Sequence, residues 1–349
     1  MNILLTSAGR RAYIVDYFKG CPGVEKVYAS NSLYTIALKR ADGYFITPLI
    51  YDKEYIPSII SFCKEYKITV VLSLFDIDLL VLARNESVFK ANGITLILAP
   101  ADFVEVCNDK YKSYKLCKEL GINTPKTYLH RDDVISAIKS GEFSYPIIIK
   151  PRWGMASLGV YKVDGDEELF VFSKKCKNDI FNSYLKYESA MTPDESVIYQ
   201  EIMRGEEFGL DVLNDLNGIY VKTFAKQKVA MRSGETDLGR TVSSEPFEEM
   251  ARLLSKNSKH KGILSVDCFN TEKGIFLIEM DCRISGHYPL AYLAGFNYPR
   301  QLVEWLNGNE TNPELLKFEE NLMIVKDLVP TVLCKVEDKL KWGGGNIPL

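Results

Sequence analysis

The sequence lacks the features that define several common protein classes. No apolar run approaches the roughly 20 residues of a membrane-spanning helix, so no membrane partner is expected. The net charge of -3 over 349 residues gives no basic surface for nucleic acid. The eight cysteines include no CxxC pair and show no clustering with histidine, which argues against a zinc site or a disulfide framework. We expect a cytoplasmic protein with reduced thiols.

Two phosphate-binding motifs are also missing. The first predicted strand, NILLT, is followed by the loop SAGRR over residues 7–11. This loop lacks the GxGxxG spacing that lets a backbone approach a pyrophosphate, so a nicotinamide dinucleotide site is not expected. The GxxxxGK[ST] phosphate loop does not occur anywhere in the chain.

What is present is an α/β region followed by a mostly β region. Residues 1–108 alternate short apolar runs with helical patterns, which predicts an open, Rossmann-like parallel sheet. The predicted strands are NILLT, VEKVYAS, YFITP, TVVLS and ITLIL, and the predicted helices cover 10–19, 34–41, 53–66 and 77–91. Beyond residue 108 the pattern is α+β. We divide this part into domains at 109–195 and 196–312 and a C-terminal extension at 313–349, which includes a predicted strand in LMIVKDLV.

Three carboxylates are predicted to converge on one hairpin. Residues two apart on a strand face the same side, so Glu279 and Asp281 in GIFLIEMD project together. ILSVDCFN pairs with this strand through the turn NTEKG and brings Asp267 opposite. Clustered carboxylates in an apolar setting need a cation, and Mg²⁺ prefers oxygen ligands. The alternative is an ordinary solvent-exposed sheet face.

Two lysines are candidates for phosphate binding. Lys150 ends the buried strand in IIIKPRWGMASLGV, and the loop that follows contains Gly154, Ser157 and Gly159. A lysine is a compact charge suited to phosphate, and small loop residues let backbone N–H groups approach an anion. Lys110 opens a helix forty residues earlier. Taken alone, Lys150 is equally compatible with an exposed lysine in a hairpin, and for Lys110 an ordinary helix position is the favoured alternative.

A strand end near residue 201 is a candidate purine site. IYQEIMRGEEFGLDV predicts one strand ending near Met203 and a second beginning after Gly205. An adenine and its ribose fit against such a strand, with Glu201 or Glu206 accepting their hydrogens. The alternative is a plain hairpin.

Together these elements resemble the ATP-grasp superfamily. The order Lys110, Lys150 with its loop, the 200–211 segment and then the acids of 267–281 is similar to that of carbamoyl-phosphate synthetase and the carboxylate–amine ligases, over most of the chain. IIIKPRWGMASLGV resembles the family's KP–small-residue–GV element, and IEMDCRISG resembles its E-x-N-x-R-x-S-G element. Here Asp281 replaces the usual asparagine.

The resemblance implies the roles of these parts. Residues 109–195 become a small lid subdomain and 196–312 a large subdomain of one ATP-grasp module. Its implied ATP-binding residues are Lys110, Lys150, Ser157, Glu201, Met203 and Glu206. The implied metal ligands are Asp267, Glu279 and Asp281. They are expected to hold Mg²⁺, with Mn²⁺ as the alternative ion. Arg283 is expected to neutralise the transferring phosphoryl group.

Candidate substrate residues are less specific. AKQKVAMRSGETDLGRT is interpreted as a strand followed by a polar loop, in which Arg232 is predicted to hold a carboxylate or acyl phosphate. Further candidates lie in loops at the strand ends, where solvated charges are common: Arg10, Arg11, Asp76, Asp78, Arg240 and His287. A structural histidine is the alternative for His287.

The implied activity is an ADP-forming ligation through an acyl phosphate. Its substrates are a small carboxylate and an amine, for example an amino acid joined to another amino acid or to a sugar acid. One alternative is a carbamoyl-phosphate-synthetase-like kinase of a small carboxylate or carbamate, and another is an ATP-binding sensor without turnover. The resemblance leaves a homodimer open.

Overall fold

The structure, a computed structural model, describes residues 1–154, 157–232 and 234–335. The strands in these ranges form three sheets, of five, six and four strands. Residues 336–349, the last part of the predicted C-terminal extension, lie outside the described ranges. Across the described ranges, every helix is too short or too polar to cross a membrane.

The first sheet is parallel, with strand order β3-β2-β1-β4-β5. Its strands are β1 Asn2–Thr6, β2 Lys26–Asn31, β3 Gly43–Ile46, β4 Ile68–Ser73 and β5 Thr95–Ile97. The helices are α1 Ala12–Lys19, α2 Ile36–Arg40, α3 Tyr55–Glu65, α4 Asp76–Arg84 and α5 Glu86–Ala91. Ile3 and Leu5 pack in one apolar cluster with α1, and Leu4 packs in another with α3. Helices therefore cover both faces, and the predicted open parallel sheet is confirmed.

Two details differ from the pattern analysis. The helix predicted over 77–91 is two helices, because the chain leaves helical geometry at Asn85, whose side-chain amide donates to the carbonyl of Val81 at 2.8 Å. Helix α6, Ala101–Asn108, was not predicted. It leads into α7, Lys110–Leu120, which ends as predicted at Gly121 with a left-handed φ of 71°.

The small sheet is antiparallel, in the order β6-β9-β7-β8. Its strands are β6 Thr127–Tyr128, β7 Ile147–Pro151, β8 Tyr161–Val163 and β9 Val197–Glu201. Its helices are α8 Arg131–Lys139, α9 Asp166–Phe181 and α10 Lys186–Ser189. Ile147, Ile149 and Val163 pack with α8 and α9 in a cluster of their own. We call this unit, residues 127–201, the lid.

The large sheet is antiparallel, in the order β14-β13-β10-β11-β12-β15. Its strands are β10 Glu206–Asn214, β11 Tyr220–Arg232, β12 Glu235–Val242, β13 Gly262–Thr271, β14 Gly274–Asp281 and β15 Met323–Val325. Its helices are α11 Glu248–Ser258, α12 Tyr288–Leu293 and α13 Tyr298–Leu306. The prediction of a polar loop after Arg232 is wrong, because most of this segment forms β12. This strand pairs with β11 and buries Thr236 and Thr241.

The first and large sheets share their apolar cores. One cluster joins Leu4 and Ile59 to Leu210 and Leu264, and a second joins the opposite face of the first sheet to Phe224. The lid contributes to neither cluster among the described residues. It is therefore the unit that can move against the other two sheets without opening their common cores.

One buried histidine is held neutral between α11 and β13. His260 is 1% exposed, and its Nε2 lies 3.0 Å from the carbonyl of Val212. Its Nδ1 lies 2.6 Å from the hydroxyl of Ser258 and 3.3 Å from the amide nitrogen of Asn214. Burial lowers the pKa of His260 to about 4, although the backbone hydrogen bonds oppose that shift.

Because of this histidine, the free energy of unfolding should depend on pH in the acid range. Its pKa falls from 6.5 to about 4 on folding, so the unfolded chain binds more protons between these values. Stability should therefore decrease as pH falls below 6.5, by up to about 1.4 kcal/mol per pH unit. Urea unfolding at several pH values measures that slope. His260→Gln should lose part of it, whereas the exposed His130→Gln should retain it, and equal slopes in all three proteins would contradict the assignment.

Candidate active site

A cleft of about 420 Å³ lies between the lid and the large sheet. The ends of β7 and β9 form its lid side, and β10, β13 and β14 form the opposite side. Among the residues predicted from the sequence, those lining it are Lys110, Lys150, Ser157, Glu201, Met203 and Glu279. Met155 and Ala156, within the predicted phosphate loop, lie outside the described residues.

Lys150 is a buried cation that faces this cleft. It is 8% exposed, and no hydrogen bond or ion pair holds its ammonium among the described residues. The pKa of Lys150 is lowered to about 8, mainly by burial and also by the charge of Lys110, against the attraction of Glu279. A buried ammonium without a counter-ion is suited to an anionic ligand.

Lys110 bridges the lid to the acids of the large sheet. It is the first residue of α7, and its Nζ lies 2.7 Å from Glu279 Oε1 and 2.5 Å from the carbonyl oxygen of Gly154. Burial alone would lower the pKa of Lys110, but the charge and hydrogen bond of Glu279 raise it. Both predicted phosphate lysines are thus brought to one cleft.

The three predicted metal ligands lie on the β13–β14 hairpin. Asp267 pairs directly with Glu279, and Asp281 lies two residues further along β14. Each carboxylate holds a side-chain cation: Glu279 with Lys110, Asp267 with Lys228 and Asp281 with Arg283. No group of three or more His, Cys, Asp or Glu residues in the described ranges is arranged to hold a metal ion.

The donor chemistry nevertheless fits a hard cation. All three ligands are carboxylates, which suit Mg²⁺. Oδ1 of Asp267 is buried and accepts no hydrogen bond among the described residues. Burial raises the pKa of Asp281, and the charges of Asp76 and Glu279 add to this against Arg283. A divalent cation would relieve the repulsion among these acids that raises the pKa of Asp281, and Asp267 offers it a free lone pair.

Lys228 is a site residue to which the sequence analysis gave no role. It is nearly buried on β11, and its Nζ lies 2.9 Å from Glu207 and 2.7 Å from Asp267. Burial would raise the pKa of Asp267, but the charge of Lys228 lowers it. The available signal was the alternation Lys226-Gln227-Lys228, which sends both lysines to one side of a strand.

A glycine on β10 makes room beside Asp267. Gly209 pairs with Lys226 on one side and with Asp267 on the other. A Cβ at Gly209 would lie 3.1 Å from Nε2 of His287 and 3.2 Å from Cε of Lys226. Lys226 is fully buried and pairs with Asp211 at 2.5 Å. The missing side chain therefore leaves a slot that the imidazole fills.

His287 supports the acids instead of lining the cleft. It is buried, with Nδ1 2.7 Å from the hydroxyl of Ser285 and Nε2 3.1 Å from that of Ser265. Nε2 also lies 3.7 Å from Asp267. These contacts favour the structural alternative for His287.

Arg283 joins the first sheet to the acidic hairpin. Its Nε and Nη2 donate to the carboxylate of Asp76 at 2.6 and 2.8 Å, and Nη2 also lies 3.1 Å from Asp281. Burial would raise the pKa of Asp76, but the charge and hydrogen bonds of Arg283 lower it. Two predicted site residues thus bind each other, and the expected action of Arg283 on a phosphoryl group stays a prediction.

The chain crosses from lid to large sheet beside the cleft. Glu201 ends β9 and Met203 follows, and both also border a neighbouring groove of about 1010 Å³ that Glu206 lines. Glu206 accepts from the amide of Gln227 at 2.7 Å. Gly205 has a φ of 150°, and a Cβ there would meet the carbonyl oxygen of Asn270 at 2.1 Å. Only glycine fits this crossing.

The remaining substrate candidates lie outside the cleft lining. Asp78 is fully buried and accepts hydrogen bonds from Thr6, Ser7, Tyr55 and Ser73, which favours a structural role. Arg11 donates to the carbonyl oxygens of Leu74 and Ile284, and Arg10 is exposed. Arg232 pairs with Asp237 at 2.8 Å at the end of β11, and Arg240 is exposed on β12. Their substrate roles stay predictions.

Comparison with known proteins agrees with this architecture. Residues 107–287 match the model of the ATP-grasp domain, and residues 3–97 match that of the PylC-like N-terminal domain. The chain belongs to the ATP-grasp family. The resemblance inferred from the sequence is therefore confirmed, as is the predicted order of a parallel domain followed by an ATP-grasp module.

Individual relatives are distant. The arginine-specific large chain of carbamoyl phosphate synthase from Bacillus subtilis is 21% identical over 278 residues, covering 77% of this chain and 25% of that protein. This chain thus spans about a quarter of that relative's length.

Two solved structures share the fold. The biotin carboxylase domain of 2-oxoglutarate carboxylase from Hydrogenobacter thermophilus, in complex with MgADP, ADP and bicarbonate, has a TM-score of 0.69 at 18% identity over 91% of this chain and 72% of that one. The L-amino acid ligase from Bacillus licheniformis has a TM-score of 0.63 at 18% identity, covering 90% and 75%.

The buried ammonium of Lys150 yields a prediction for nucleotide binding. We expect Lys150→Ala to weaken MgATP binding by about tenfold or more in calorimetry, about 1.4 kcal/mol. Lys162→Ala, on the exposed part of the same sheet, is the matched control and should bind as the wild type does. Equal affinities in all three proteins would contradict the phosphate role.

The lowered pKa of Lys150 also predicts a pH dependence. The ammonium loses its charge as pH rises through about 8, so MgATP affinity should fall above that value. Lys150→Arg keeps its charge over this range and should flatten the profile between pH 7 and 9.5. Parallel profiles for the two proteins would show that another group titrates.

Proposed function

We propose that this chain is an ATP-dependent carboxylate–amine ligase that forms ADP and phosphate. The observation that supports it most is that Lys110 and Lys150 line one cleft together with Glu279, whose partner on the neighbouring strand is Asp267. Cations on one side and acids on the other suit a nucleotide polyphosphate with its divalent ion.

The lysines of the cleft act on the phosphates. Phosphoryl transfer leaves little covalent work for a protein, so catalysis depends on positioning and on neutralising charge. Lys150 has no counter-ion among the described residues and offers its charge to the nucleotide directly. Lys110 would share its charge between the nucleotide and Glu279, which it already contacts at 2.7 Å.

The acids of the hairpin would hold Mg²⁺. Asp267 and Glu279 are directly paired, and Asp281 lies beside them with a carboxyl group in place of the family's usual asparagine. When bound, the ion neutralises charge on the transferring phosphoryl group. Lys228 and Lys110 compensate these acids when the ion is absent.

The order of bond changes follows from the proposed class. A substrate carboxylate oxygen bonds to the γ-phosphorus, and the bond to the ADP oxygen breaks. The amine then attacks the acyl carbon of the resulting acyl phosphate, and phosphate leaves with the former carboxylate oxygen. The lid, with its own apolar core, would close over this step and exclude water from the acyl phosphate.

The acceptor is proposed to be an amino acid, joined to another amino acid or to a sugar acid. The similarity to an L-amino acid ligase supports this choice. A second candidate is phosphorylation of a small carboxylate or carbamate, which the similarity to carbamoyl phosphate synthase favours. Turnover with bicarbonate and ammonia alone would support the second candidate.

The test is ADP release across a panel of acid–amine pairs, followed by isotope transfer. With the carboxylate oxygens of the acid labelled as ¹⁸O, one label should appear in the released phosphate, because an acyl phosphate transfers that oxygen. ADP release that requires both substrates, without label transfer, would overturn the acyl-phosphate route.

Glu279 provides the matched mutational test. Glu279→Gln should lower kcat by about 100-fold, about 2.7 kcal/mol, because it removes a charge that balances Lys110 and the metal ion. The exposed Glu249→Gln should leave kcat unchanged. Unaltered ADP release by Glu279→Gln, in a folded protein, would refute the metal role of this residue.

A further inference from the structure

We propose that the buried pair Asp109–Arg152 is a positioning device that fixes Lys110 and Lys150 relative to each other, so that the cleft recognises phosphate. This inference rests on the proposed ATP-binding function. Neither residue lines the cleft, but each adjoins a lysine that does: Asp109 precedes Lys110, and Arg152 follows Lys150 by two positions.

Asp109 performs two tasks with one carboxylate. Its Oδ1 accepts from the backbone N–H groups of Tyr111 and Lys112 at 3.0 and 3.2 Å, which caps the start of α7. Both of its oxygens also accept from Arg152, each at 2.8 Å. Asp109 is 1% exposed, so this geometry is shielded from water.

The guanidinium of Arg152 binds carboxylates from two parts of the chain. Nε and Nη2 form the fork to Asp109, and Nη1 donates to Glu195 at 2.6 Å. Its plane lies over the ring of Trp153, 4.4 Å from the ring centre. Its backbone N–H donates to the carbonyl of Ser196 at 2.9 Å, so the side chain and the main chain are both held.

The pair ties the two lysine-bearing segments together at the backbone. The N–H of Lys110 donates to the carbonyl of Arg152 at 3.2 Å, in addition to the hydrogen bonds between the side chains of Asp109 and Arg152. The start of α7 and the end of β7 are therefore joined by one backbone and two side-chain hydrogen bonds. Bidentate carboxylate–guanidinium pairs set direction as well as distance.

Such a tie is needed because the lysines repel each other. Lys150 is buried and Lys110 is largely covered, and the charge of Lys110 opposes protonation of Lys150. Among the described residues, Glu279 is the carboxylate that attracts both ammonium groups. Two like charges in one cleft move apart unless their backbones are fixed, so the Asp109–Arg152 pair would keep the ligand-free cleft ready for an anion.

Two variants separate positioning from folding. Asp109→Asn retains an oxygen for the helix cap but loses the second acceptor of the fork. Arg152→Lys retains the charge but cannot form the fork. Arg252→Lys, at the exposed ion pair with Glu248, is the matched control.

The measurement compares MgATP, by calorimetry, with adenosine, by saturation-transfer NMR. We expect both pair variants to stay folded at the assay temperature and to bind MgATP at least about fivefold more weakly while adenosine affinity changes little, because only the phosphates are expected to contact the lysines. Arg252→Lys should match the wild type for both ligands.

Three results would overturn the inference. MgATP affinity within twofold of the wild type in both variants would show that the pair does not place the lysines. A parallel loss of MgATP and adenosine binding, with a lower Tm, would show a structural role only. A wild-type protein that binds no MgATP would overturn the proposed function together with this inference.

Discussion

The compensation of buried charge is the constraint on which this structure depends. Asp267, Glu279 and Asp281 would repel one another at the end of an apolar hairpin, and each is held by a cation, which for Asp267 and Glu279 comes from a distant part of the chain. Glu279 is neutralised from α7, Asp267 from β11, and Asp281 by an arginine that also binds Asp76 of the first domain. The same contacts that permit the acids to cluster therefore fix three segments around the cleft.

The division of apolar cores complements this network. The first and large sheets share two clusters, so the acids, Lys228 and the Asp76–Arg283 pair belong to one packed body. Lys150 lies on the lid, which has its own core. The cleft thus forms where a separately packed unit brings a cation to a fixed set of carboxylates. The contact between Lys110 and Gly154 across this boundary is polar, and polar contacts can be exchanged with a ligand more easily than packed side chains.

Local pattern predicted much of this arrangement, and tertiary pairing decided the rest. Strand and helix periodicity predicted the parallel sheet and the β13–β14 hairpin, and the two-residue spacing placed Glu279 and Asp281 together. The same logic failed for β12, because Gly239, Arg240 and the threonines of that strand suggest a loop until β11 pairs with them. Lys228 could not be assigned because its partner Asp267 is distant in sequence. Asp76 and Arg283 were both proposed as ligand contacts, whereas folding brings them to each other across 207 positions.

The separate packing of the lid has an evolutionary consequence. Substitutions in units that have separate apolar cores and few shared contacts have nearly additive effects on stability. Substitutions of Val134, Ile149 or Ile180 would thus change packing inside the lid and have little effect on the clusters that support the acids. Sequence drift in this unit can alter the lid side of the cleft while the β13–β14 hairpin stays as it is. Residues such as Gly209, where any side chain would displace His287, have no such freedom. The molecule therefore combines a part that tolerates variation with a part that resists it, and ligand preference can diversify in the first without loss of the second.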